Sequence, residues 1–551
     1  MIEKNSIMSP IQTWQGYDAV KEDTEVSIIN YELKDDIITT EIIYTVANVE
    51  DGKIRGYLKL AKRMDANCAS VILVVPNYDG TEEIDVYNDV INEGFVYATI
   101  EYAGVGEKHT EYPNSCYYGN FESIENIIEV KGSPKKTCWY LWDMVLKRAM
   151  TVINEQIPNA RICLLGADMG ANICWQVAGM DNRVNCFISV NGSGYIETMK
   201  KYYKPVIAGD YPTAWLAGVA PQAYAKYVTC PVLYVGGSNN MYSNIDKVQE
   251  IMALSSSKDK YMTICQNSEK KITLESYNTI KLWVDRFFLK AGGSIKETEV
   301  NFSNSDGRLY IKVKAYEQVK NIAIFVAKKE TNFSIREWNL VNNYTALENG
   351  EYIVPIDVES VDDIIYCYVN SYYEDGLVLS SKPIAVVPKE IGIEEATAVK
   401  KSSSRIVYNT SMVDDYFYGE NKKAVFDRRL IVKKEGAFTV KGIGLEGGGS
   451  LYTFRVGDNK YRSAINATLK MDAYTLKDTT FEVVVYNLEQ DELVPYKVPV
   501  FLKQSDKWQQ ISLTVTDFKN YEMISLESFS NIKKIELKDI DTVIFNNIIW
   551  V

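Results

Sequence analysis

Up to about residue 290 the chain alternates short, wholly apolar runs with amphipathic helical patterns, and beyond that point the helices stop. This switch constrains the possible folds more than any other feature. Ser70-Val-Ile-Leu-Val-Val75 and Phe95-Val-Tyr-Ala-Thr-Ile100 read as buried strands. A helix from about Lys136 to Gln156 carries Trp139, Trp142, Leu146, Ala149 and Ile153 on one face, at spacings of three and four. Strand Arg161-Ile-Cys-Leu-Leu165 then leads through a Gly-rich turn into a helix containing Trp175 and Val177. A further strand, Pro231-Val-Leu-Tyr-Val235, precedes a closing helix with Tyr277, Ile280, Trp283 and Phe287. Strands that are apolar on both sides need helices over both faces of their sheet. The pattern therefore predicts an α/β domain with a mostly parallel sheet over residues 1–290.

Ala291-Gly-Gly-Ser294 ends that regime. From 296 to 388 the runs alternate in polarity, as in Arg308-Leu-Tyr-Ile-Lys-Val313, Asn321-Ile-Ala-Ile-Phe-Val326 and Ile364-Ile-Tyr-Cys-Tyr-Val369, which predicts a small Ig-like β-sandwich. The polar stretch from Lys389 to Ser404, with Lys400-Lys-Ser-Ser-Ser404, reads as a linker. Residues 405–551 return to strands, among them Phe481–Tyr486, Trp508–Thr514 and Thr542–Phe545, and their spacing fits a jelly-roll sandwich. Three cores suit a chain of 551 residues, which is too long for one.

Charge and cysteine narrow the function. Sixty basic against 73 acidic residues leave a net charge of −13 without a cluster of Lys and Arg, which argues against nucleic acid and anionic membrane as partners. No apolar run reaches the roughly 18 residues of a membrane span. The opening MIEKNSIMSP lacks the basic-then-apolar run of a signal peptide. Nine cysteines, an odd number without a C-x-x-C pair, lie mostly in apolar runs and read as buried free thiols. A cytoplasmic setting is the expectation, with a secreted form as the alternative. The chain has a single histidine, His109, so histidine-based metal sites are not expected, and no cofactor is implied.

Gly166-Ala-Asp-Met-Gly170 follows a buried strand and opens a helix, which is the setting of a G-x-S-x-G nucleophile elbow with Asp168 at its centre. With Pro76-Asn-Tyr-Asp-Gly80, Thr137-Cys-Trp-Tyr-Leu-Trp142, Asp181-Asn-Arg-Val184, Ala223–Pro231 and Ile280-Lys-Leu-Trp283, residues of about 30 to 290 resemble the acetyl xylan esterase and dienelactone hydrolase group of α/β-hydrolases. The resemblance implies an acid after the strand Val232–Val235 and a base after the next one. Those positions hold Asn240, in Gly236-Gly-Ser-Asn-Asn240, and Asn267, in Ile264-Cys-Gln-Asn-Ser268. Asparagine takes no proton at neutral pH, so no general base remains to activate a hydroxyl or a water. Backbone amides at Tyr78 and Met169 would make the oxyanion hole that the resemblance implies.

Two readings of Asp168 follow. As a helix-start carboxylate it would accept amide hydrogen bonds and face the positive end of the helix dipole. As a nucleophile of the haloalkane dehalogenase or epoxide hydrolase kind, it would form an ester that a histidine-activated water must clear. His109, in the loop Ala103–His109, is expected to be solvated and out of hydrogen-bond reach of Asp168. Tyr112, Tyr117 and Tyr118 cluster where they would line a pocket. Trp508 and Trp550 read as core residues, although the last segment loosely resembles jelly-roll carbohydrate-binding modules. The favoured expectation is a catalytically inactive hydrolase homologue that binds a carbohydrate or small molecule, or assembles with copies of itself. The alternative is an active carbohydrate esterase with an Asp-centred site.

Overall fold

The computed structural model describes residues 7–66, 69–80, 86–105, 110–121, 127–198, 211–240, 242–289, 292–316, 318–398, 403–412, 417–421, 430–489 and 492–551. Its first sheet has nine strands: β1 (Ser27–Lys34), β2 (Ile37–Val49), β3 (Gly52–Arg63), β4 (Ser70–Val75), β5 (Val96–Glu101), β6 (Arg161–Ala167), β7 (Val184–Val190), β8 (Val232–Gly237) and β9 (Lys260–Cys265). They lie in the order β1-β2-β3-β5-β4-β6-β7-β8-β9. β4 to β9 run parallel, and every residue of β4 is buried. β1, β2 and β3 form an antiparallel meander, and β3 joins β5 antiparallel. The exchange of β4 with β5 and the helix entered straight from β6 make this an α/β-hydrolase fold. Periodicity misses the meander because its strands are buried only in part, and every residue of β1 is exposed.

The helices are α1 (Pro10–Trp14), α2 (Tyr87–Asn92), α3 (Cys138–Gln156), α4 (Met169–Met180), α5 (Tyr211–Gly218), α6 (Pro221–Ala225), α7 (Ile245–Leu254) and α8 (Leu274–Trp283). Thr137 caps α3 by accepting the Tyr140 amide, and α3 is then buried from Leu141 to Ile153. This exceeds the one apolar face expected, because the N-terminal segment covers the other side. The buried Arg148 guanidinium donates to the carbonyls of Ala19, Glu22, Asp23 and Thr45, tying that segment down. No helix among the described residues is long and apolar enough to cross a membrane.

The second region is a sandwich of two antiparallel sheets around Leu309, Ile311, Ile324, Val354, Cys367 and Val369. The expected linker is partly built into it. Ile393 is fully buried in that core, and the Thr397 hydroxyl accepts the Val358 amide. The Ile391-Gly-Ile393 spacing inside a polar stretch is what places an apolar side chain there. The third region is again two antiparallel sheets over one core, in which Trp550 is buried and donates its indole N–H to the Tyr461 carbonyl at 2.9 Å. Trp508 departs from its expected core role. It is half-buried outside that core, with its ring over Gly436 and Gly442, where no Cβ would fit beside it, and its N–H on the Ala437 carbonyl.

Candidate functional site

β6 ends one residue before a turn so tight that it selects its own residues. A Cβ on Gly166 would lie 2.5 Å from the Ala171 Cα, and one on Gly170 would lie 2.1 Å from the Val75 carbonyl oxygen. Between these glycines Asp168 takes φ 49° and ψ −109°, a conformation costing roughly 1–3 kcal/mol for a non-glycine residue. Its amide donates to the Val190 carbonyl at 2.9 Å, and its own carbonyl accepts from the Asn172 amide and side chain. The Asp168 side chain is buried but makes no helix-capping hydrogen bond. The cap expected from sequence is therefore absent, because a residue at positive φ directs its side chain away from the helix amides.

Asn240, in the loop after β8, is fully buried, and its Oδ1 accepts the Tyr242 amide at 2.8 Å. Asn267, in the loop after β9, is equally buried, with φ 52°. The two loops touch, since the Asn267 amide donates to the Ser238 hydroxyl and the Asn239 amide to the Ser268 carbonyl. Asn267 then reaches beyond its own domain. Its Oδ1 accepts the Trp338 amide at 2.8 Å, and its Nδ2 donates to the Trp338 carbonyl at 2.9 Å and to the Tyr418 hydroxyl. Its backbone carbonyl accepts the Tyr452 hydroxyl at 3.2 Å. One side chain at the expected base position thus bonds both β-sandwiches.

The surrounding residues continue this seam. Asn239 Nδ2 donates to the Arg336 carbonyl at 2.8 Å. Arg336, itself fully buried, forks onto Asp246 at 2.7 and 2.9 Å and lies 3.6 Å from the Tyr366 ring centroid. Lys534, in the third region, pairs with Glu269 at 2.7 Å between the rings of Tyr452 and Tyr486. Burial alone would depress Lys534, but Glu269, Tyr486 and Glu536 outweigh it and hold the amine protonated. Lys271 pairs with Glu420 in the same way across the regions.

Of the other expected site residues, Met169 is the first residue of α4, so its amide has no acceptor within the helix. The Tyr78 ring stacks on Phe121 at 3.9 Å. Tyr117 and Tyr118 do line a cavity of about 320 Å³, with Asn120, Phe121, Lys136 and Trp142 in its wall. Asp168, Asn240 and Asn267 are not among its lining residues. Tyr112 is turned away from it. Its hydroxyl donates to the Tyr102 carbonyl at 2.6 Å, and its ring fills the space beside Gly119. His109 lies outside the described residues. Among those residues no group of three His, Cys, Asp or Glu is placed to hold a metal ion.

The buried pair Asp143 and Lys147 on α3 gave no signal in the sequence beyond a charged i, i+4 spacing. Burial holds the Asp143 carboxyl well above the usual carboxylate range. Burial also lowers Lys147 to about 8, against the opposing pull of Asp143 and Asp181. Trp14 covers the ammonium with its ring centroid 3.4 Å away, so the pair lies beneath α1. Because the folded pKa is depressed, the unfolded chain holds the extra proton between about 8 and the ordinary value of 10.5, and stability rises with pH across that window. Lys147→Met is expected to stabilise the protein at pH 7 by about 1–3 kcal/mol, the lost ring contact offsetting part of the gain. The advantage over wild type should shrink on going from pH 7 to pH 10, as read from denaturant midpoints at several pH values.

No family model matches the chain, and no curated protein matches it. Among solved structures, acetyl xylan esterase 1 from Thermoanaerobacterium sp. aligns with 52% of this chain and 96% of its own, at 12% identity and a TM-score of 0.41. An acetyl xylan esterase from Paenibacillus sp. R4 aligns with 52% of this chain and 97% of its own, at 12% identity and a TM-score of 0.40. A glucuronoyl esterase from Solibacter usitatus aligns with 49% and 86%, at 9% identity and a TM-score of 0.34. At these values the likenesses add nothing to what strand order already says about the first domain.

Proposed function

We propose that this protein is a hydrolase scaffold without hydrolase chemistry, whose role is binding or assembly. The observation that carries the reading is Asn267. Its side chain cannot move a proton, and its oxygen and nitrogen are engaged by Trp338 and Tyr418. A base needs a free lone pair directed at a hydroxyl or a water, and an amide locked into an interdomain seam offers none. Asn240 is committed likewise to the turn at Tyr242. The strain at Asp168 does not favour the active alternative, because the glycine contacts impose that turn on whichever residue occupies it.

The ligand site in this reading is the aromatic cavity bounded by Tyr117, Tyr118, Phe121 and Trp142. Its volume of about 320 Å³ suits a small ring-bearing molecule or a single sugar. Hydrolysis of a generic acetyl ester by the full chain is expected to equal the enzyme-free rate, with Asp168→Ala indistinguishable from wild type. Turnover by the wild type that Asp168→Ala abolishes would establish the Asp-centred esterase instead.

A further inference from the structure

Asn-Gly occurs twice in the chain, at Asn191-Gly192 and at Asn349-Gly350. The dipeptide carries its own reagents, an electrophilic side-chain carbon followed by a backbone nitrogen that glycine leaves unshielded. The fold decides whether they can meet. Both asparagines stand at positive φ, 55° and 60°, a region asparagine enters more readily than most residues. Asn191 follows β7 directly and is fully buried. Its Oδ1 accepts the Gly237 amide at 3.2 Å, its Nδ2 donates to the Lys270 carbonyl at 2.7 Å, and its own amide donates to the Val235 carbonyl. Asn349 is the opposite case. It lies exposed at the tip of the hairpin joining Thr345–Ala346 to Glu351–Ile356 in the second region, and no hydrogen bond holds its carboxamide among the described residues. That tip requires Gly350, whose φ is +73° and whose Cβ would stand 2.5 Å from the Ala315 carbonyl oxygen. The two residues that suit such a turn are thus the two that make it chemically labile.

We propose that Asn349 is a site of spontaneous covalent modification, in which the Gly350 nitrogen attacks the Asn349 side-chain carbonyl. The nitrogen gives its proton to solvent base, the N–Cγ bond forms, and the Cγ–Nδ2 bond breaks with loss of ammonia, leaving a five-membered succinimide. Water then opens the ring at either carbonyl. One opening gives aspartate, and the other gives isoaspartate, in which the main chain runs through the side-chain carbon. The closed turn does not present the nitrogen, because with ψ at 31° it lies nearly opposite the side chain across the Cα–C bond. The ψ bond must therefore rotate while the tip is open. Opening costs little here, since the hairpin end is closed by the pairs of Thr345 and Ala346 and by the Leu347 amide on the Glu351 carbonyl, in a stretch exposed from Thr345 to Asn349. At Asn191 the same rotation would first have to break the bonds that tie the end of β7 to the end of β8 and to the loop after β9. Isoaspartate lengthens the main chain by one atom and sets a new carboxylate between Glu348 and Glu351. The bond from the Ala315 amide to the Gly350 carbonyl then loses its register and the short strand frays, while Val354 and Ile356 stay in their core. The site is confined to the second region and stands apart from any ligand of the first domain.

The test is peptide mapping by mass spectrometry of the full chain, held at mildly alkaline pH and sampled over time. Acid at position 349, more of it isoaspartate than aspartate, is expected to accumulate at least about tenfold faster than acid at position 191. The rate should rise with pH, because the attacking nitrogen must lose its proton. In denaturant, where both turns are gone, the two rates should converge. Asn349→Gly keeps the turn, since glycine takes positive φ freely, and removes the carboxamide. It should abolish the main acidic species that wild type develops on isoelectric focusing, with an unchanged melting profile. A native chain in which Asn349 keeps its amide while the denatured chain loses it would overturn the proposal. So would equal native rates at positions 191 and 349, or an acidic species undiminished in Asn349→Gly.

Discussion

Replacing Asn267 with Ala is expected to lower the stability of the protein by about 3–5 kcal/mol and to loosen both β-sandwiches from the first domain. The truncation removes the Asn267 bonds to the Trp338 amide, the Trp338 carbonyl and the Tyr418 hydroxyl in one step, leaving the carbonyl with Gln266 Nε2 as donor. These groups lie in a seam where Asn267, Trp338 and Tyr418 are each at most 1% exposed, so water does not replace the lost bonds. Thermal unfolding should show an earlier first transition, and limited proteolysis should release the sandwiches at protease levels that leave wild type intact. Asn267→Asp keeps the acceptor for the Trp338 amide but loses the donor to its carbonyl, so it should fall between the two. Asn267→His, which restores the imidazole that the resemblance places here, should likewise destabilise, because the ring cannot bond the Trp338 amide and carbonyl together. An unchanged melting profile for Asn267→Ala would remove the seam as the reason this position cannot act as a base.

The second large effect lies in the elbow. Gly170→Ala is expected to cost more than about 4 kcal/mol, or to abolish soluble folded protein. The added Cβ would stand 2.1 Å from the Val75 carbonyl oxygen and 2.4 Å from that of Pro76. Both are backbone atoms at the end of β4, a central strand of the sheet, so neither can withdraw without disturbing its neighbours. Gly80→Ala is the control. Nothing lies within 4 Å of its Cβ, and its φ of +76° should cost only about 1 kcal/mol. Soluble yield and unfolding midpoints of the two variants distinguish steric exclusion from the general cost of losing a glycine.

These two residues separate what local sequence reveals from what it hides. Gly170 was legible because its constraint is short-range. A buried strand, a five-residue turn and a helix start are contiguous, and G-x-D-x-G names the turn whatever else the chain does. The parallel strands and α3 were legible for the same reason, since periodicity over six to nineteen residues reports which faces are dry. The meander was harder to read because half-buried strands lack that signature, and β1 lacks it altogether. Trp508 misled because a tryptophan beside a strand usually packs inward, whereas Gly436 and Gly442, in and beside a strand three places away in the same sheet, make a shelf for it outside the core.

At the site itself, the sequence determined the absence of a titratable side chain at Asn240 and Asn267, the carboxylate at Asp168 and the geometry of its turn. Only the tertiary structure decided what those residues do. Asparagine reads the same whether it idles in an open cleft or bolts three bodies together. The partners of Asn267 stand 71 and 151 positions away along the chain, and no local pattern encodes a contact at that range. Spacing records what a segment needs from its immediate surroundings. Which distant backbone supplies the hydrogen bond is settled only when the domains dock.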